Sequence, residues 1–276
     1  MTYNEPRFCD VIAFYTGTRR IMKNNKYYIN WYAKQLIECI IGYHQNIDAG
    51  LYYDTIIVCN RQNTQDELNE AELFLQKYNG IKTKNGKFIV EFRENKGISF
   101  GAYNYAYSKY ADEYDYFFFT EDDVIFTEKD WYKKIYDKWT NLEKADSNLG
   151  FLAAKGVSVS TNTKNIEGTY FIGMHCHGGV GLTSSKNLDL VKHIGAEYFD
   201  YEWKNNYKTA CQSEVKFTNR FCDIGKNLVA YGDCLYSKFF SNYQSEVGNP
   251  PYIGVPKNAS KPEDFYLDWD KIKKNW

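Results

Sequence analysis

Three consecutive carboxylates, Glu121-Asp122-Asp123, directly follow the apolar run Asp115-Tyr-Phe-Phe-Phe-Thr120. Side chains this close repel one another unless water or a cation compensates. Their hard oxygen atoms suit Mg²⁺ or Mn²⁺, and Mg²⁺ typically takes one or two carboxylates plus phosphate oxygens. The chemistry on offer is cation-assisted handling of a phosphorylated substrate. A bare acidic triplet is equally well read as a solvated turn that caps the next element. Position separates the two readings, because a strand end in an α/β sheet is where ligands sit.

A second stretch, Glu94-Asn-Lys-Gly-Ile-Ser-Phe-Gly-Ala-Tyr-Asn104, ends one strand pattern and opens a helical one. Gly97 and Gly101 allow close backbone approach, and a helix N-terminus favours anionic groups. An ordinary strand-to-helix connection also uses such glycines. Arg19, Arg20 and Lys96 are candidate phosphate contacts, with solvated surface charge as the plain alternative. His175-Cys176-His177 places two imidazoles on one face of a strand, but no Cys/His spacing completes a zinc site.

The elements that must position these residues alternate. Asp10–Tyr15, Thr55–Cys59, Lys87–Phe92 and Asp115–Thr120 read as buried strands. Helical spacing covers Tyr27–Tyr43, Thr64–Tyr78 and Ser99–Tyr110, with Thr64 as N-cap and Glu67 three residues on. Strands that are apolar without alternation, separated by helices, predict an α/β fold with a parallel sheet and crossover helices. The strand ends that face a ligand are then Thr16-Gly17, Cys59-Asn60, Arg93–Gly97 and Glu121-Asp122-Asp123. The second half is less regular. Strands are expected at Leu149–Lys155, Tyr170–Leu182 and Leu228–Tyr231, and helices at Ser184–Ile194 and Gln212–Ile224. Asn162–Gly168 reads as a loop, and Pro250, Pro251, Pro256 and Pro262 make the region beyond Glu246 a loop or lid.

The bulk numbers bound the function. The chain has 276 residues, 43% of them apolar, enough for a large core in one domain or two small ones. Its 34 basic and 35 acidic residues give a net charge of −1, which argues against nucleic acid as a partner. No run of about 18 apolar residues predicts a transmembrane segment. The N-terminus lacks the apolar core of a signal peptide, so a cytoplasmic location is expected. Seven scattered cysteines without a Cys-x-x-Cys pair read as free, mostly buried thiols. The 26 tyrosines are compositional bias first, although some could line a sugar cleft.

Asn95-x-Gly97, Ala102-x-Asn104 and Phe117-Phe-Phe-Thr-Glu-Asp-Asp-Val124, in this order, resemble the family 2 inverting glycosyltransferases, which have the GT-A fold. Downstream, Ser213-Glu214 followed by Arg220 and Gly225 is similar to the Glu-Asp helix motif of that family. The resemblance spans roughly Phe8–Tyr231. It implies a single GT-A (Rossmann-like) catalytic domain over 1–276, with a mostly parallel central sheet flanked by helices. Residues 8–125 would bind a nucleotide-sugar donor, 126–245 a glycan or glycoconjugate acceptor, and 246–276 would be a tail.

The same resemblance implies site residues. Asp123 would hold Mn²⁺ or Mg²⁺, and Glu214 would be the catalytic base, with Asp200, Glu202 and Asp233 competing. Thr16, Asn60, Asn95, Gly97, Ala102, Asn104, Glu121 and Asp122 would bind the nucleotide sugar. Apart from the resemblance, His175 and His177 read as polar residues lining the acceptor or diphosphate side, with ordinary packed histidines as the plain alternative. The family usually places acids after the second strand, where this chain has Cys59-Asn60-Arg61 with Asp66 further on. The alternatives are a nucleotidyltransferase of similar fold, against which Thr16-Gly17-Thr18-Arg19-Arg20 is glycine-poor, and a non-catalytic carbohydrate-binding or scaffold protein.

Overall fold

A computed structural model describes residues 5–17, 19–23, 26–30, 33–61, 67–122, 124–126, 129–154, 157–164, 170–193, 207–231 and 252–254. Its centre is a seven-stranded sheet in the order Asn227–Ala230, Leu149–Ala153, Gly181–Ser184, Tyr116–Glu121, Phe8–Tyr15, Asp54–Arg61, Phe88–Glu94. The first four strands in chain order to join it are β1 (Phe8–Tyr15), β4 (Asp54–Arg61), β5 (Phe88–Glu94) and β6 (Tyr116–Glu121). These four are parallel neighbours. The other three are β8 (Leu149–Ala153), β11 (Gly181–Ser184) and β12 (Asn227–Ala230). β11 runs antiparallel to both β6 and β8, while β12 is parallel to β8. The α/β, mostly parallel, Rossmann-like sheet expected from the alternating patterns is present.

Both faces of the sheet are covered, which is why its inner strands are largely apolar. Phe117 and Phe119 of β6 point into a core with Phe100, Tyr103 and Tyr107 of α3 (Ile98–Tyr110). Leu188 of α5 (Ser185–His193) and Phe217 and Phe221 of α6 (Tyr207–Asp223) complete that layer. Phe118, between them, points the other way, onto Trp131, Tyr132 and Trp139 of α4 (Trp131–Ala145). On that second face Ile12, Phe14, Ile57 and Val90 meet Ile37 and Ile40 of α1 (Ala33–Asn46) and Leu75 of α2 (Glu70–Gln76). The chain moves outward from β1 through β4 to β5 and then crosses back to β6 on the other side of β1. That reversal puts a crevice outside the carboxyl ends of β1 and β6.

Several expectations need correction. Tyr27–Asn30 is not helical. It lies in β3 (Lys26–Asn30), paired with β2 (Arg19–Lys23), and α1 starts only at Ala33. The aromatic and β-branched run Tyr27-Tyr28-Ile29 favours a strand once a partner is beside it. The N-cap of α2 is Asn69, with a full capping box to Glu72; Thr64 lies outside the described residues. Residues Asn162–Lys164 belong to β9 (Val157–Lys164), which pairs with β10 (Tyr170–Cys176). α4 had no counterpart in the sequence reading. The Pro-rich tail contributes β13 (Tyr252–Gly254), antiparallel to β7 (Val124–Phe126), the strand just beyond the acidic triplet.

Candidate functional site

A hydrogen bond ties the carboxyl ends of β1 and β6 together. The Tyr15 backbone N–H donates to Asp122 Oδ2 at 3.1 Å. Asp122 is 5% exposed, a buried carboxylate at the sheet's reversal point. Such a group is stabilised by N–H donors and by positive charge. Asp123 lies outside the described residues. Among the described residues no group of three or more His, Cys, Asp or Glu is gathered closely enough to hold a metal by itself. The donor Asp122 offers is hard oxygen, which fits Mg²⁺ or Mn²⁺, since these take few carboxylates and complete their shell with phosphate and water.

The next strand end along, that of β4, is tied to β1. Thr16 N–H donates to Asn60 O at 3.2 Å, and Thr16 Oγ1 donates to Glu72 Oε1 at 2.5 Å. Glu72 also accepts from Arg61 Nε at 3.1 Å. Thr16, Arg61 and Glu72 are all buried. A buried ion pair is retained when further hydrogen bonds satisfy its remaining atoms, as Thr16 and the Asn69 N–H do here. The Asn69 Nδ2 in turn donates to Thr16 O at 3.1 Å. Glu72 therefore braces the β4 end of the candidate site, in a region where the sequence shows no acid close behind the strand. The Asn69-x-x-Glu72 capping-box pattern was the available signal.

The Asn95–Asn104 stretch folds as expected, and its glycines have distinct reasons. Gly97 adopts φ 79 and Ile98 φ 52 at the start of α3. A Cβ on Gly101 would fall on the Lys96 carbonyl. Asn60 reaches across to this turn: its Nδ2 donates to Ile98 O at 3.1 Å and its Oδ1 accepts from Arg93 Nη1 at 2.6 Å. Arg93 Nη2 donates to Lys96 O at 2.8 Å. The Asn95 N–H donates to Arg61 O at 3.0 Å. Ala102 is fully buried between α3 and the sheet, so it packs and does not line the crevice. Asn104 is half-buried one turn further along α3. Lys96 pairs with Glu94 at 2.6 Å.

The second half supplies a tight turn, His177–Gly179, between β10 and β11. It contacts both β6 and α6. Glu121 faces it: Glu121 Oε1 accepts from Ser99 Oγ at 3.3 Å, and its carboxyl lies against Gly178. Glu214 is half-buried on α6. Its carbonyl accepts from Thr218 Oγ1 at 3.0 Å, and that hydroxyl accepts from the Cys176 N–H at 2.9 Å. The α6 turn carrying Glu214 is thus fastened to the turn that follows β10. Cys176 is buried, with Sγ 3.4 Å from Val180 O, so its thiol serves the turn. His175 lies in β10 and His177 opens the tight turn, both by their backbone. Asp200, Glu202, Asp233 and Asp66 lie outside the described residues, and Arg19 and Arg20 are placed in β2 by their backbone.

No protein-family model matches the chain. No curated protein sequence matches it either. Solved structures are similar to the chain at low identity. CMP:2-keto-3-deoxy-manno-octonic acid synthetase complexed with CTP is 14% identical over 81% of this chain and 90% of its own, with TM-score 0.41. HddC from Yersinia pseudotuberculosis complexed with GMP-PN is 15% identical over 65% and 77%, with TM-score 0.37. A Bacillus anthracis protein described as a glucose-1-phosphate thymidylyltransferase, in complex with sucrose, is 13% identical over 80% and 85%, with TM-score 0.37. Likeness at this level is of chain path and carries nothing about the reaction. No helix among the described residues is long and apolar enough to cross a membrane.

Proposed function

We propose that this chain is a metal-dependent transferase acting on nucleotide-linked sugars, with glycosyl transfer as its reaction. The observation that supports it most is the buried Asp122 carboxylate receiving the Tyr15 N–H at the reversal point of the sheet. The Asn95–Asn104 turn beside it adds the second half of the resemblance. In this reading 8–125 binds the donor and 126–245 the acceptor. Asp122 and Asp123 hold Mn²⁺ or Mg²⁺, and Thr16, Asn60, Asn95, Gly97 and Asn104 shape the nucleotide side. The bound cation would offset the charge of the departing diphosphate.

Glu214 would take the proton of an acceptor hydroxyl. The acceptor oxygen would bond to the anomeric carbon as the bond to the diphosphate oxygen breaks, inverting that centre. Nucleoside diphosphate leaves, and Glu214 releases its proton to water. Holding two substrates in line supplies much of the rate.

Nucleotidyl transfer is the second reading. It needs the same sheet end and the same cation. Here β1 leads into the β2–β3 hairpin and not into a glycine-rich loop, which favours the first reading. Products separate them. Nucleotide sugars with Mn²⁺ should release nucleoside diphosphate. Nucleoside triphosphates with sugar 1-phosphates releasing pyrophosphate instead would replace the first reading with the second. Neither release would leave a non-catalytic binding protein. Glu214→Gln should abolish diphosphate release and keep nucleotide binding; release at the wild-type rate would put the base elsewhere.

A further inference from the structure

Glu121 and Asp122 are neighbours with different surroundings. Asp122 turns toward the end of β1. Glu121 follows the alternation of β6 onto the face of Phe117 and Phe119, under α3 and α6. There it meets two turns at once. On one side is Ser99, in the first turn of α3. On the other is Gly178: the Glu121 carboxyl carbon stands 2.8 Å from the point a Gly178 Cβ would occupy. Only a residue without a Cβ lets the carboxylate lie on that backbone, and Gly178 also holds φ 64.

Both turns are conformationally demanding. Gly97 and Ile98 on one side, and Gly178 and Gly179 on the other, all have left-handed φ. Ile98 is β-branched, and such a residue stays left-handed only where its surroundings over-determine it. Asn60 holds the Ile98 carbonyl. Tyr103 OH donates to Gly178 O at 3.2 Å, and a Cβ on Gly179 would stand 2.8 Å from the Phe100 ring. Glu121 places its carboxylate between the two turns.

We infer that Glu121 is a positioning residue and not a cation ligand: its carboxylate clamps the first turn of α3 to the Gly178–Gly179 turn. The clamp sets the spacing between the donor end of the sheet and the half carrying α6, and in this respect it rests on the function proposed above. It divides the acidic triplet, with Asp122 and Asp123 serving the nucleotide and Glu121 serving the junction of the two halves.

The test compares Glu121→Gln, Gly178→Ala and Asp122→Asn in the full chain. Amide hydrogen exchange is read without ligand. Glu121→Gln and Gly178→Ala should each speed exchange at both turns, 98–102 and 178–181, by about tenfold while the β6 amides stay protected, as expected for local opening. Binding of UDP, GDP and CMP is then titrated with and without Mn²⁺. Glu121→Gln should keep the Mn²⁺-dependent gain in affinity that Asp122→Asn loses. Loss of that gain in Glu121→Gln would make Glu121 a ligand and overturn the clamp. So would faster exchange at one turn alone, at neither, or throughout the sheet. If the wild-type chain binds no nucleotide, the proposed function falls, and the exchange pattern decides the clamp by itself.

Discussion

Gly101 shows how a single missing atom shapes the candidate site. The carbonyl of Lys96 occupies the space a Cβ would need, and that carbonyl also accepts from Arg93. Gly101→Ala must therefore move backbone, at a cost of about 2 kcal/mol or more by analogy with other overpacked sites. Urea denaturation should show the loss, and a midpoint equal to wild type would contradict it.

A buried pair gives a second residue-scale prediction. Asp10 and His44 are both buried, with His44 Nε2 3.7 Å from Asp10 Oδ2 and His44 Nδ1 3.0 Å from Tyr53 OH. Burial lowers the His44 pKa from 6.5 to about 3. Burial raises that of Asp10 well above 3.8, against a smaller opposing effect of the Thr120 hydroxyl. In the folded chain the pair thus carries one proton, on Asp10. Unfolded, between pH 3.8 and 6.5, it also carries one, on His44, so its contribution to stability is flat in that window. Asp10→Asn leaves only the depressed His44. The unfolded state then binds the extra proton, and stability should fall as pH drops from 6.5 toward 3. Urea midpoints measured across that range should slope in Asp10→Asn relative to wild type. Parallel curves would refute the neutral-pair assignment.

At the scale of elements, the capping box of α2 has a duty beyond its own helix. Asn69 caps Ala71 and Glu72 through Oδ1 and holds Thr16 through Nδ2. Asn69→Ala should cost about 1 kcal/mol of stability, as for other lost N-caps. It should also weaken nucleotide binding, because Thr16 is released; thermal melts and binding titrations on one preparation check both. An unchanged affinity would detach the cap from the site.

The elements also show what the sequence made legible. β1, β4, β5 and β6 are readable because each carries a short run of consecutive apolar residues, as strands covered on both faces do, and β6 lies in the middle of the sheet. The strand ends follow from that frame, so Thr16, Asn60 and Asp122 were within reach. Glu72 was not singled out because its partners Thr16 and Arg61 are distant in sequence, and nothing local announces such a contact. The β2–β3 hairpin was masked by Ile29, which extends the helical spacing of α1 backwards. α4 went unread although Trp131, Ile135 and Trp139 share one helical face. Gly178, set opposite Glu121, depends on β11 lying beside β6, a pairing that the Gly-rich run alone did not disclose.

For the whole molecule, the central claim is that the carboxyl ends of β1 and β6 bind a nucleotide through a divalent cation. Both chemistries considered above require it. The most direct measurement is the thermal melting of the wild-type chain and of Asp122→Asn with UDP, GDP, CMP and TDP and the matching triphosphates, each with and without Mn²⁺. A ligand that binds only the native state raises its stability by about 2.7 kcal/mol at a hundredfold excess over its dissociation constant. The wild-type chain should show a Mn²⁺-dependent rise in melting temperature with at least one nucleotide, and Asp122→Asn should show none. No rise with any nucleotide, or an equal rise in Asp122→Asn, would contradict the central claim.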